Sequence, residues 1–313
     1  MPLNRRQFLA TSSLAAAASA ADLHGLIAGP RQAAQPLPAT SFVTVRGTVG
    51  IFTGQGGTIG WHIDRTSVIV VDSQFPATAK ICLDGLNERS GSRAIDCLVN
   101  THHHGDHTAG NVVFRPAARK IVAQVNEPKL QIDAAARAAK TARPGAPPPA
   151  EQVVADTTYE KTWREEVGGE ALALKHYGPA HTGGDSVVTF EKADVVHMGD
   201  LVFNRSHPYI DKPAGASIAN WITSLETVAS DHPQSTIYIF GHANPKFPVT
   251  GGRADLLYMR DYLAALLEFV RGEVKAGKTK DAVLKIGDPL KGFPDHGPLI
   301  ERVLSAAYEE VAG

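Results

Sequence analysis

Four histidines and an aspartate crowd one short stretch of this 313-residue chain, His102-His103-His104-Gly105-Asp106-His107. Imidazole nitrogens and carboxylate oxygens at that density are borderline-to-hard donors, which suit zinc or another divalent first-row metal. His102 and His104 stand two apart, so from an extended strand exit both leave on one side. Asp106 and His107 follow the turn at Gly105 and can face a second point nearby. His103, between two candidate ligands, is expected to point away in a structural role. A solvated histidine tract that merely scavenges metal would not need the interleaved aspartate. Nor would it need the downstream candidates His181 (in Gly178-Pro179-Ala180-His181-Thr182-Gly183-Gly184-Asp185), Asp200 (in His197-Met198-Gly199-Asp200) and His242 (in Phe240-Gly241-His242). A lone loop histidine is ordinarily structural. Several at strand ends, together with the cluster, point to a metal centre.

Strands must deliver these residues. Val68-Ile69-Val70-Val71 is wholly apolar and ends in Asp72, the pattern of a strand buried on both faces. Residues 94–99 repeat that pattern directly before the histidine cluster, and 236–240 do so before His242. Glycine-punctuated β runs over 42–60 read as hairpins, and 112–125 as strand material. Helices are expected over 78–88, 127–140, 217–230 (with a Ser217 N-cap), 255–274 and 299–311. The run 143–149, rich in proline, reads as a stiff surface connection. The plan of several strands, a helix, then a strand ending at histidines occurs twice, which two sheets with helices outside both would satisfy. Trp221 and the apolar stripe of 255–274 read as helix packing, and His197 as sheet-face packing.

Composition narrows the function classes. Lys and Arg total 31 against 32 Asp and Glu, a balance of −1 that argues against a nucleic-acid binder or a polybasic membrane-surface protein. Two cysteines are too few for a disulfide scaffold or a four-cysteine metal site. Cys82, in a helical run, and Cys97, in a strand run, are expected to be buried free thiols. Arg5-Arg6-Gln7-Phe8-Leu9 followed by an alanine-rich run resembles a twin-arginine export signal, so residues 1–34 are read as signal and spacer and the protein as periplasmic or otherwise exported. No apolar run long enough to span a membrane follows it.

The set H-x-H-x-D-H at 102–107, His181, Asp200 and His242, with Asp72 ending its apolar strand, resembles the metallo-β-lactamase superfamily. The resemblance implies an α/β, four-layer αββα sandwich. Residues 35–313 would form one hydrolase domain, with a metal-binding core at 42–250 and a C-terminal helical extension at 251–313. Carried over residue by residue, His102, His104 and His181 would hold one metal, Asp106, His107 and His242 a second, and Asp200 would bridge them. Two zinc ions per chain are the implied cofactors, with iron or manganese as alternatives. The zinc-dependent β-lactamases place cysteine or serine where this chain has Asp200; the bridging aspartate resembles glyoxalase II, lactonase, RNase Z and phosphodiesterase branches instead. The flavodiiron branch has glutamate where His104 stands. The expected reaction is hydrolysis of a small ester, thioester, lactone or amide by a metal-bridging hydroxide, with Asp106 as the catalytic acceptor that orients it. Asp72 is expected to fix a ligand imidazole through its other N–H. β-Lactam hydrolysis and a mononuclear iron persulfide-type oxygenase are the rival activities. Asn204, Arg205, His207 and Tyr209 follow Asp200 in a loop, and Asn244 and Lys246 follow His242; of these Asn204, Tyr209, Asn244 and Lys246 are the candidate contacts to a small-molecule substrate.

Overall fold

The computed structural model describes residues 39–143 and 151–313. The arginine pair and alanine-rich run at the N-terminus, and most of the proline-rich connection, lie outside the described residues. Strands β1 (Ser41–Arg46), β2 (Val49–Thr53), β3 (Ile59–Ile63), β4 (Val68–Val71), β5 (Cys97–Val99), β6 (Ile121–Gln124) and β7 (Thr157–Tyr159) form one sheet in sequence order. The first four pair antiparallel and the last four parallel, because helices cross over between β4, β5, β6 and β7, the last crossover being α4 (Glu127–Thr141). Strands β8 (Thr162–Val167), β9 (Glu170–Lys175), β10 (Val187–Phe190), β11 (Val195–His197), β13 (Ile237–Ile239) and β15 (Thr250–Gly251) form a second sheet. A two-stranded ladder, β12 (Phe203–Asn204) with β14 (His242–Ala243), joins the segments after Asp200 and at His242.

Side-chain alternation builds the layers. Ile69 and Val71 of β4 face inward with Val99, Leu174, Val188 and Ile239 between the sheets. Val68 and Val70 face outward onto helix α1 (Pro76–Ser90) through Cys82 and Leu86. Each such side chain, fully buried, stabilises by roughly 1.5–3 kcal/mol. On the far side, β11 and β13 are covered by α5 (Ile218–Asp231), α6 (Arg253–Lys275), the short α7 (Lys280–Leu284) and α8 (Glu301–Ala312), around Trp221, Tyr238 and Leu263. The result is the αββα sandwich with added C-terminal helices. Cys82 lies in the outer layer and Cys97 between the sheets, both as buried free thiols.

One element differs from its sequence pattern. The β-branched run at 112–113 is not strand: Asn111–Phe114 is a short helix, α3, after the single turn α2 (Gly105–Thr108), and only Ile121–Gln124 pairs in the sheet. Phe114 is driven under α1 into the outer core, and Asn111 is tied to Asn100, so tertiary packing overrides the β preference of two valines. Ser217 caps α5 as expected, its hydroxyl accepting from the Asn220 N–H at 3.2 Å.

Candidate metal centre

His102 and His104 follow β5, Asp106 and His107 lie in α2, His181 lies between β9 and β10, Asp200 follows β11, and His242 opens β14. Asp72 follows β4 in the left-handed region, φ 65°, where Asp is among the tolerated non-glycine residues. That turn aims its fully buried carboxylate across to β5, where it accepts from the Thr101 N–H and hydroxyl at 2.8 Å each. It also accepts from His107 Nδ1 at 2.7 Å, leaving His107 Nε2 facing the site. Ser73, next in the turn, donates to the His107 carbonyl through both N–H and hydroxyl, so the whole histidine segment is clamped.

Two donor groups converge. In the first, His102 Nε2 lies 3.1 Å and His181 Nε2 3.0 Å from His104 Nδ1, with Asp200 Oδ2 at 3.7 and 3.6 Å from His102 and His181. Each ring is held by its other nitrogen: His104 Nε2 by Asp211 at 2.9 Å, His181 Nδ1 by the Tyr209 carbonyl at 2.7 Å, and His102 Nδ1 by the Thr101 hydroxyl at 3.1 Å. Three inward lone pairs so close would repel without a cation between them, and Zn–N bonds of about 2.0–2.1 Å match such a spacing. Burial, reinforced by neighbouring imidazoles, keeps His181 neutral with its pKa pushed down to about 3, and lowers that of His102 well below the ordinary value.

The second group is His107 Nε2, His242 Nε2 and Asp106 Oδ2, with separations of 3.4, 3.1 and 3.7 Å. Asp200 Oδ1 reaches this group, at 3.1 Å from His107 and 3.4 Å from His242. That oxygen is buried and has no hydrogen bond of good geometry. Here burial opposes imidazole charge, but carboxylates outweigh it. Asp200, Asp72 and Asp106 hold His107 well above its ordinary pKa, and Asp200 and Asp106 push His242 up to about 9. The second group therefore attracts positive charge, which a divalent ion would supply. Two glycines permit the close packing: a Cβ on Gly57 would overlap the His107 ring, and one on Gly241 would overlap Asp200 Oδ1.

The remaining histidines of the sequence pattern are placed elsewhere. His103 is buried with its Nε2 3.4 Å from Asp211 and turned from both groups' shared carboxylate. His197 spans the sheets, Nε2 donating to the Thr58 carbonyl and Nδ1 accepting from the Gly199 N–H. A cleft of about 500 Å³ opens over His104, Asp106, Asp200 and His242, walled by Phe75, Phe203, Tyr209 and Arg302. Tyr209 thus lies beside the site. Asn204, Asn244 and Lys246 do not line that cleft. The Asn204 amide is spent on the Pro248 carbonyl and Arg205, the Asn244 amide on the Asp295 carbonyl, and Lys246 is solvent-exposed. Sequence reading missed Asp211, Phe75, Phe203 and Arg302. Asp211 carried a weak signal, a lone acid after a Tyr-Ile pair; Arg302 carried none.

The superfamily model described as "Metallo-beta-lactamase superfamily" matches residues 59–242, which contain Asp72 and all seven candidate ligands. The chain belongs to the metallo-β-lactamase superfamily. Members of this superfamily are metal-dependent hydrolases, and the clustered His and Asp donors of this chain fit metal binding. A curated relative, 2,4-dinitroanisole O-demethylase subunit alpha from Nocardioides sp. (strain JS1661), is 27% identical over 202 residues, 61% of this chain. This chain spans 56% of that relative's length. Among solved structures, a metallo-β-lactamase from Pontibacter korlensis matches with TM-score 0.57 and 16% identity, over 72% of this chain and 99% of its own. The sec-alkylsulfatase Pisa1 from Pseudomonas sp. matches with TM-score 0.67 and 17% identity, over 88% of this chain and 50% of its own. At these identities the structural likeness is one of fold.

Proposed function

We propose that the protein is an exported, dinuclear zinc hydrolase acting on a small ester, thioester, lactone or amide. The observation that carries this reading is the Asp200 carboxylate, whose Oδ2 faces the His102–His104–His181 group while Oδ1 faces the Asp106–His107–His242 group. One ion would be held by each group, with Asp200 common to both. Bound there, such ions supply Lewis acidity and lower the pKa of water toward neutrality. The chain's own residues do the rest. Asp106, at the cleft surface, accepts a proton or orients the attacking water. Asp72, Asp211 and the Tyr209 carbonyl fix the imidazole tautomers. Phe75, Phe203 and Tyr209 exclude bulk water and orient the substrate.

A second complete donor group beside the first supports two ions over the single iron of a persulfide-type oxygenase. Asp200, in place of cysteine or serine, supports esters and their kin over β-lactams. A second reading, attack on an activated aryl methyl ether, is favoured by the similarity to the O-demethylase subunit. Export rests on the arginine-pair signal alone. The test is metal analysis of protein purified from a host that exports it, beside a panel of aryl ester, thioester, lactone, chromogenic cephalosporin and 2,4-dinitroanisole. About two zinc per chain with ester-class turnover is expected. One iron per chain, or cephalosporin or dinitroanisole turnover exceeding all esters, overturns the assignment.

A further inference from the structure

We propose that Arg302, on the C-terminal extension, is the anion anchor of the substrate site, so that the preferred substrate carries a carboxylate or sulfonate-type oxyanion. The inference rests on the reading of the cleft as the substrate site. Arg302 lies far beyond the residues matched to the superfamily, yet it lines the cleft together with Asp106, Asp200 and His242. Its guanidinium stands 5.0 Å over the Tyr209 ring, and that ring lies 5.2 Å from the His104 ring. One aromatic ring therefore separates the cation from the first donor group.

The placement is built rather than incidental. The segment leading into α8 is tied to the loops that follow Asp200 and His242. The Pro298 carbonyl accepts from His207 Nε2 at 2.8 Å, in the loop after Asp200, and the Asp295 carbonyl accepts from the Asn244 amide at 3.1 Å, just after His242. His296 stacks on Tyr262 at 4.0 Å, and the Tyr262 hydroxyl meets His207 at 2.7 Å. Farther along α8, Glu310 pairs with Lys212 beside Asp211. Helix α8 buries Val303, Leu304 and Ala307, which leaves Arg302 and Ser305 outward.

The chemistry of the guanidinium is uncommitted. Arg46, Arg164, Arg205 and Arg260 are each paired with carboxylates. Among the described residues Arg302 has neither a carboxylate nor a hydrogen-bond partner, only the Tyr209 face. Stacking holds the planar fork while all five N–H donors stay available for bidentate recognition of an oxyanion. Arg302 also lines an adjoining cleft of about 680 Å³ with the apolar Ile210, Pro213 and Ile300 and the charged Lys212, Glu301 and Glu309; the apolar body of such a substrate would extend along the first three, with its oxyanion kept at Arg302.

The test is calorimetric binding to the metal-replete full chain, using 3-phenylpropionate, benzylsulfonate and the neutral 3-phenylpropionamide. Wild type is expected to bind both anions about five- to tenfold more tightly than the amide. Arg302→Met is expected to collapse that preference to about twofold, and Arg302→Lys to keep part of it, with circular dichroism and melting unchanged in both. A preference for one anion only tells carboxylate from sulfonate. An undiminished preference in Arg302→Met, or none in wild type, overturns the proposal. Hydrolysis of no panel substrate alongside an Arg302-dependent preference would remove the hydrolase reading and leave the anchor standing.

Discussion

Asp72→Asn tests the support of the second donor group with little collateral change. Asparagine keeps the shape and tolerates the left-handed backbone at φ 65°. Its oxygen can still accept from the Thr101 N–H. Its amide group then faces the Thr101 hydroxyl and His107 Nδ1, the atoms that now donate to the carboxylate at 2.8 and 2.7 Å. An amide N–H aimed at Nδ1 makes that nitrogen the acceptor and moves the imidazole proton to Nε2. Nε2 is the atom 3.1 Å from Asp200 Oδ1 and needed as a donor to metal. Losing a charge-assisted hydrogen bond and the correct tautomer costs about 1.5–3 kcal/mol, roughly 10–100-fold in affinity for the ion held by His107. The first group feels the change only through Thr101. Competition against a chromogenic zinc chelator should resolve two equivalents in the wild type. In Asp72→Asn it should show one weakened by that factor and the other changed by less than about threefold. Wild-type affinity for both, or equal weakening of both in a protein that melts normally, would refute the assignment of Asp72 to His107.

Three further outcomes follow from the packing. Gly241→Ala would press a methyl group against Asp200 Oδ1 and the Gly199 carbonyl, so both equivalents of metal should be lost and stability should fall by about 1–3 kcal/mol; full metal content by elemental analysis would contradict this. Glu127, fully buried with neither carboxyl oxygen hydrogen-bonded, has its pKa pushed up to about 8 by burial and by the Asp72 charge. The unfolded chain ionises near the ordinary Glu value while the folded chain stays protonated. Native stability should therefore fall by about 1.4 kcal/mol per pH unit from above that value up to about 8, and urea melts of Glu127→Gln at pH 5 and pH 8 should lack that component. Cys82 and Cys97 lie in different layers, so mild oxidant should form no intramolecular disulfide. Denatured protein should then titrate with two thiols; a single residual disulfide by mass would count against the layer assignment.

Much of the centre was legible in the chain. Donor type at 102–107 and the placement of His181, Asp200 and His242 after apolar or glycine-bounded runs are local properties, and a buried strand can deliver side chains only where it ends. Two sheets with helices outside both fitted the plan that occurs twice, and the wholly apolar β4 run agrees with it, since its neighbouring residues serve two different cores. Composition and pattern alone were silent on remote partners; the bridging role of Asp200 was offered only by the family resemblance. That Asp200 turns one oxygen to each group depends on the meeting of segments around residues 102, 181, 200 and 242. That Asp211 holds His104, that the Tyr209 carbonyl holds His181, and that Arg302 overlooks the cleft depend on loop paths with no repeating pattern. The valines at 112–113 show the same division. Their β preference is intrinsic, but burying Phe114 under α1 outweighs it, because a side-chain propensity of a few tenths of a kcal/mol yields to a core contact worth several times that.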